Sequence, residues 1–327
     1  MKKHFKNLIS VLLTICLMVA LCSVIASAEA PDAELPVRVI TLNGTTGFGM
    51  AGLIAEHKAG NTALNYSFTV DTDASNVTAA LVNGDCDIAA LPTNAASALY
   101  NKTEGKIQAL ALNTRGVLYL VSNGSEEIGS IADLEGKTVY VPAQNPTFIF
   151  SHICSANGVN VSIDNSFAQP AELNTAVAAG EVNLAVLPEP MVTVARSQNK
   201  DLAVALDLTE EWDNVSAPGS LVQGCVVVRT EFAEEHPAEV AAFLEDYGKS
   251  VALLTEDPAA AAKAIEETGI FAKAAVAEKA IPKCNICFVT GEEMQEQLSE
   301  FLNIMFEAAP QSIGGKVPSE NFYCILK

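Results

Sequence analysis

Apolar residues fall in short blocks along this chain, and the blocks switch between the period of a strand and the period of a helix. Residues 37–42 form a β-branched run, followed by a glycine-rich turn and a helical stretch over 50–59 that Gly60 stops. Residues 64–71 alternate apolar with polar, as a half-buried strand does. Residues 75–82 have helical spacing and end at Asn83-Gly84, a natural helix stop. The spacing then predicts a buried strand over 86–91, a short helix over 95–100, and strands over 107–112 and 117–121. The pattern restarts with strands over 137–141, 159–163, 182–187 and 202–206, separated by helices over 146–156, 170–179 and 189–198. A polar segment, 209–219, breaks the alternation before a strand over 222–228. Everything after Phe232 reads as helix, including 237–254, 258–267 and 292–308. Such alternation predicts an α/β protein with mainly parallel sheets covered by helices on both faces.

The restart is an internal repeat. Leu-Val-Asn-Gly-Asp-Cys-Asp-Ile-Ala-Ala-Leu-Pro over 81–92 matches Val-Ala-Ala-Gly-Glu-Val-Asn-Leu-Ala-Val-Leu-Pro over 177–188. Each copy is a helix end, a glycine cap, an acid, a strand, and a Leu-Pro that opens the next helix. Two related lobes follow: residues 37–116 with 223–327, and residues 117–222. Open sheets of this kind bind ligands beyond the carboxyl ends of their strands. Leu-Pro marks that end in each copy, so lobes that face each other line one cleft.

Composition narrows the function. Half of the 327 residues are hydrophobic, enough for large cores, and the net charge is −20. A chain this acidic lacks the basic face that nucleic acid requires. Its first residues carry Lys2, Lys3 and Lys6, a long apolar run, and Ala26-Ser27-Ala28, which together read as an export signal over residues 1–28. An uncleaved anchor and a lipid attached at Cys22 are the alternatives, the latter with Leu21 where such signals carry a small residue.

Several motifs compete for attention. Gly47, Gly49 and Gly52 fit the glycine pattern of a dinucleotide-binding turn, with Asp71 at the expected remove. Export argues against that cofactor, but a turn of this kind still lets a ligand approach the backbone. Glu135-Gly136-Lys137-Thr138 resembles a phosphate loop, yet Ile131 stands where the first glycine belongs and a strand follows. Ser197 and Lys200 form an SxxK without its companion motifs, and read as a solvated helix end. Cys284 and Cys287 form a lone CxxC, read as a surface disulfide or free thiols. Neither a metal-ligand cluster nor a cofactor is indicated. Arg115, between two strands, is open to two readings: a clamp for a carboxylate or sulfonate, or a surface arginine paired with an acid.

A set of short motifs recurs together in order: the glycine-rich first turn, Asp-Ile-Ala-Ala-Leu-Pro-Thr-Asn over 87–94, Ser-Ile-Ala-Asp-Leu-Glu-Gly-Lys-Thr-Val over 130–139, Leu-Pro-Glu-Pro over 187–190 and Phe-Ala-Glu-Glu-His-Pro over 232–237. The chain resembles substrate-binding proteins of ABC importers, of the branch that includes nitrate, sulfonate and taurine receptors and the NMT1-like thiamine-precursor proteins. The resemblance implies a two-lobed fold of the type II periplasmic-binding class, with two doubly wound sheets joined by crossing hinge strands. It implies a small-molecule ligand of nitrate, sulfonate or pyrimidine-precursor type, and a membrane permease with its ATPase as partners. It also implies a periplasmic or cell-surface location. The synthases of this group use a cysteine-rich catalytic segment that is missing here, so a receptor is expected rather than an enzyme. The runner-up is an exported lyase on the same lobes.

The expected ligand contacts are Thr46, Gly47 and Phe48 in the first turn, Thr93 and Asn94 after the first Leu-Pro, and Thr114 and Arg115 at the crossing. From the second lobe come Gln144, Asn145 and Thr147, and Glu189 after the second Leu-Pro. Glu189 either favours the helix dipole or accepts hydrogen bonds from a ligand N–H.

Overall fold

The computed structural model describes residues 30–124 and 127–326, so the export signal expected over 1–28 lies outside the described residues. The chain runs through β1 (Pro36–Leu42), α1 (Thr45–Phe48), α2 (Ala51–Lys58), β2 (Asn65–Asp71), α3 (Ala74–Asn83), β3 (Ile88–Pro92) and α4 (Thr93–Thr103). β4 (Ile107–Arg115) passes almost directly into β5 (Leu118–Ser122). There follow β6 (Thr138–Tyr140), α5 (Asn145–Ala156), β7 (Ser162–Asp164), α6 (Pro170–Ala178), β8 (Leu184–Pro188), α7 (Met191–Gln198) and β9 (Ala203–Asp207). α8 (Leu208–Asp213) leads to β10 (Val222–Arg229), and then come α9 (Thr230–Glu235), α10 (Pro237–Glu256), α11 (Pro258–Glu267), α12 (Ala274–Ala280), β11 (Ile286–Val289) and α13 (Gly291–Ala308).

Two sheets result, six strands in the order β11-β4-β10-β3-β1-β2 and five in the order β7-β6-β8-β5-β9. The sheets are mixed rather than mainly parallel: β1 pairs parallel with β2 and β3, and β6 with β7 and β8, on one side of each sheet, while the other five pairings are antiparallel. β10 and β5 are antiparallel to both their neighbours. Both strands enter from the other sheet, β5 directly from β4 and β10 from β9 by way of α8, and not from a parallel neighbour in their own sheet. The two copies of the repeat lie in different sheets but in matching places. β3 stands between β1 and β10, and β8 between β6 and β5. The repeat's glycines, Gly84 and Gly180, both have φ of 76°, the left-handed geometry that ends a helix at little cost only with glycine.

Two readings of the sequence are corrected. The segment after Phe232 is not all helix: β11 lies against the edge of β4, Ile286 opposite Thr114 and Val289 opposite Leu112. Four residues behind a 3-10 turn carry no alternation of their own, so the strand is made by the edge it completes. The polar segment 209–219 is not simply a break. It holds most of α8, whose N-cap Asp207 accepts from the Thr209 amide at 2.8 Å.

Three apolar clusters hold the structure together. One face of the first sheet packs with α2, α10, α11 and α12 through Val39, Leu53, Phe243, Tyr247 and Ile265. A second cluster joins both sheets through α13 and Trp212. A third lies under α6 and α7. Each fully buried Leu, Ile or Phe contributes roughly 1.5–3 kcal/mol.

The chain changes sheets at Gly116 and returns between 208 and 221. A Cβ at Gly116 would meet Thr209 Oγ1 at 2.3 Å and Leu221 Cδ2 at 2.7 Å, so the two crossings pass at a distance only glycine allows. Asn285 ties a third segment to the same point, donating to the Gly116 carbonyl at 2.6 Å and accepting from the Arg115 amide at 3.0 Å.

Candidate functional site

α4 and α5 start at the carboxyl ends of β3 and β6, one from each sheet, and they meet. Asn145 Nδ2 donates to Asn94 Oδ1 at 2.8 Å, a direct bond between elements of the two sheets. Beside this bridge lies a cavity of about 340 Å³, lined by Asn94, Gln144, Phe148 and residues 309–312. Gln144 is held at φ 67°, ψ −127° at the N-cap of α5. That conformation is sparsely populated for a residue with a Cβ, and such strain collects at functional positions. Other cavities, such as one of about 290 Å³ between α2 and α10, lie away from the strand ends.

The structure therefore brings together Asn94, Gln144 and Asn145 of the eleven expected contacts. The others are placed differently. Phe48 is core, edge-on to Phe271 at 6.2 Å. Thr93 is fully buried and donates to the Val222 carbonyl at 2.8 Å, fixing the start of β10. Thr114 is buried and donates to Asn113 Oδ1 at 3.0 Å. Thr147 donates to the Pro142 carbonyl and accepts from Asn165, both at 2.8 Å, closing its own loop. Thr46 is half-buried, and its carbonyl accepts from Asn113 Nδ2 at 3.2 Å. Short hydroxyl side chains next to strand ends find acceptors of the protein itself within reach, a carbonyl for Thr93 and Thr147 and a side-chain amide for Thr114.

Gly47 corrects the reading of the first turn. A Cβ there would stand 1.9 Å from the Leu42 carbonyl oxygen, so the glycine admits the chain's own backbone rather than a ligand. Gly49 and Gly52 do the same for Tyr247 and Ser250 of α10, at 2.7 and 2.8 Å. Asp71 accepts from the Asp73 amide at 2.8 Å and from Asn76 at 3.2 Å, a turn-closing role. The glycine spacing of a dinucleotide turn here serves close packing of α1 and α2.

Arg115 is about one-third exposed, with Glu293 at 3.8 Å and Gln297 at 3.4 Å, while its Nε is buried without a partner. Cys284 and Cys287 are free thiols with different surroundings, Cys284 near Glu189 and Lys283, Cys287 near Arg115 and Glu293. Burial pushes the Cys287 thiol up to about 11 and raises Cys284 as well, so neither is a ready thiolate. Among the described residues no group of three or more His, Cys, Asp or Glu is placed to hold a metal ion. No described helix is long and apolar enough to cross a membrane.

Glu189 is 2% exposed, and its two oxygens accept from the amide and the hydroxyl of Thr193, each at 3.0 Å. The geometry is that of a carboxylate closing the first turn of α7. Burial raises its carboxyl above the ordinary glutamate value, and the Thr193 bonds offset only part of this. A carboxyl raised on folding holds its proton longer in the folded state, so stability falls as pH rises from the unfolded value near 4.3 through the folded one. Glu189→Gln is expected to remove that fall. Denaturant titrations at pH 4 and pH 7 should show the variant gaining on the wild type at the higher pH. Ligand affinity should stay within about twofold; a tenfold loss would return Glu189 to the ligand.

Phe148 and the 309–312 segment are the site residues that the sequence reading missed. Pro310 just past the end of α13 and the Gly314-Gly315 pair were the signal that a loop, not more helix, occupies this place.

The NMT1/THI5-like family matches residues 64–261. Among solved structures, an ABC transporter from Parabacteroides distasonis superimposes with a TM-score of 0.76 at 24% identity, covering 90% of this chain and 100% of that one. The periplasmic aliphatic sulphonate binding protein SsuA from Escherichia coli gives 0.67 at 13% identity, with 88% and 95% covered. The periplasmic nitrate-binding protein NrtA from Synechocystis PCC 6803 gives 0.60 at 13%, with 87% and 85% covered. Comparison with curated proteins gives no match. At these identities the structures establish the fold, that of the type II periplasmic binding proteins. The family match spans more than half of the chain, and the chain belongs to the NMT1/THI5-like family.

Proposed function

We propose that this protein is an exported solute-binding receptor, periplasmic or at the cell surface, which closes on a small nutrient and delivers it to the permease and ATPase of an ABC importer. The observation that carries the reading is the bridge from Asn94 to Asn145 beside a cavity at the carboxyl ends of strands from two different sheets. Residues 37–116 with 223–327 act as one lobe and 117–222 as the other. Contacts in one lobe alone do not close the cleft. Closure follows because the second lobe adds contacts only when shut, so ligand shifts that population. The relatives' sulphonate and nitrate binding fits a receptor role on this fold. A non-enzymatic role agrees with the chemistry of the residues: the buried thiols are raised, and Glu189 is engaged by Thr193.

A thermal-shift screen of sulfonates, nitrate, pyrimidines and other small nutrients tests the proposal. Ligand at about 100 times its dissociation constant stabilises by roughly 2.7 kcal/mol, a rise of about 5–11 °C for a protein of this size. A screen in which nothing moves the transition would contradict it.

A further inference from the structure

The side chains around the cleft carry information about the charge of the ligand. Asn94, Gln144 and Gln311 place carboxamides around the cavity, Ser312 adds a hydroxyl, and among the described residues no charged side chain lines it. The Ser312 hydroxyl already donates to the Ala309 carbonyl at 2.7 Å. Asn145 gives its amide N–H to Asn94 Oδ1, which leaves the Asn94 amide N–H free of that bond on the side of the lining. The arginine that the sequence offered as an anion clamp, Arg115, is engaged with Gln297 and Glu293 and does not line the cavity. An anion entering here would lose its hydration without meeting a counter-charge, in a protein whose net charge is already −20. A carboxamide, by contrast, both donates and accepts, and matches a neutral group that does the same. Phe148 and Pro310 supply apolar walls for the body of such a ligand.

We infer that the ligand presents to this cleft a neutral group with paired hydrogen-bond donor and acceptor, of amide, lactam or sulfonamide type, and not a sulfonate, nitrate or carboxylate. The inference rests on the receptor reading and departs from the anions that SsuA and NrtA bind, whose 13% identity to this chain conveys the fold and not the lining.

The test uses neutral and anionic molecules of nearly equal shape: nicotinamide against nicotinate, ethanesulfonamide against ethanesulfonate, with nitrate alone, added to the nutrient screen. Binding to the wild-type protein is read by thermal shift and then by calorimetry. The expected result is that the compounds that bind are neutral, with each at least tenfold tighter than its anionic counterpart. Gln311 has an exposed side chain, so Gln311→Leu is expected to keep the melting temperature and to weaken the neutral binder at least tenfold. Equal or tighter binding of the anionic partners, or of nitrate, would overturn the inference while leaving a receptor in place. Binding by no compound in the whole screen would overturn the receptor reading, and this inference with it. Unchanged affinity in Gln311→Leu would remove the cavity from the binding site.

Discussion

Gly47→Ala is expected to lower the melting temperature by about 6–12 °C. The added Cβ would sit 1.9 Å from the Leu42 carbonyl oxygen and 3.1 Å from Ile270 Cγ2. Overpacking usually costs roughly 1–3 kcal/mol, because side chains can give way. Here the obstructing atom is backbone at the end of β1, which is held in register by β2 along its whole length, Leu42 opposite Asp71. The neighbouring Gly44 amide is also bonded, to the Ile270 carbonyl at 3.0 Å. The clash cannot be passed to a flexible group, so the cost belongs at the upper end, about 3 kcal/mol, and each kcal/mol is worth about 2–4 °C in a chain of this length. Calorimetric melting checks it. A variant that melts with the wild type and only loses ligand would show that the turn exists for the ligand after all.

Asp87→Ala is expected to cost about as much, for an electrostatic reason. Asp87 is 2% exposed and accepts from the Arg38 amide and Nε at 2.9 Å, from Arg38 Nη2 at 2.6 Å and from Arg229 Nη2 at 3.2 Å. It thus pins β1 and β10 to the start of β3. Removing one partner of a buried ion pair costs roughly 3–5 kcal/mol. The two guanidiniums keep some access to water, 39% for Arg38 and 20% for Arg229, which puts the expected loss near the lower figure, about 3 kcal/mol. Burial alone would raise the Asp87 carboxyl, but the Arg38 and Arg229 bonds outweigh it and hold it below the ordinary aspartate range. Its contribution is therefore complete above the unfolded value near 3.9 and is lost as pH falls through the lower folded value. The gap between wild type and Asp87→Ala should be full at pH 7 and shrink below about pH 4. A gap that stays constant down to pH 2 would mean that the loss comes from packing and not from charge.

The repeat explains why so much of the architecture could be read from the chain. Gly84 and Gly180 are each forced by a left-handed helix end, and Leu91-Pro92 and Leu187-Pro188 each close a strand that opens a helix. Such local demands leave marks at fixed spacing. β11 left none, because a short edge strand takes its conformation from β4. Site residues were legible by position and not by orientation. Residues after each strand end can be picked out by position, but Thr93, Thr114 and Thr147 turn to partners within the protein, and only the structure shows which partner lies in reach. Asn94 and Asn145 are different, because their amides extend far enough to meet across the two sheets. Gly47 was noticed for the right property, a backbone approached closely, with the wrong visitor. Phe148 joins the cavity from the first turn of α5, and Gln311 through a return of the chain after α13, whose loop Pro310 and Gly314-Gly315 mark but whose place against Asn94 is a tertiary event.

On the receptor reading, a small molecule is held between the two sheets and released as it came. That reading is tested most directly by incubating the purified protein with its identified ligand for hours, then denaturing it and weighing what is recovered by mass spectrometry. One equivalent of unaltered ligand per chain, falling at least tenfold when Asn94 is replaced by leucine, is the expected result. Recovery of a chemically changed molecule, or of the same amount from the Asn94→Leu protein, would contradict it.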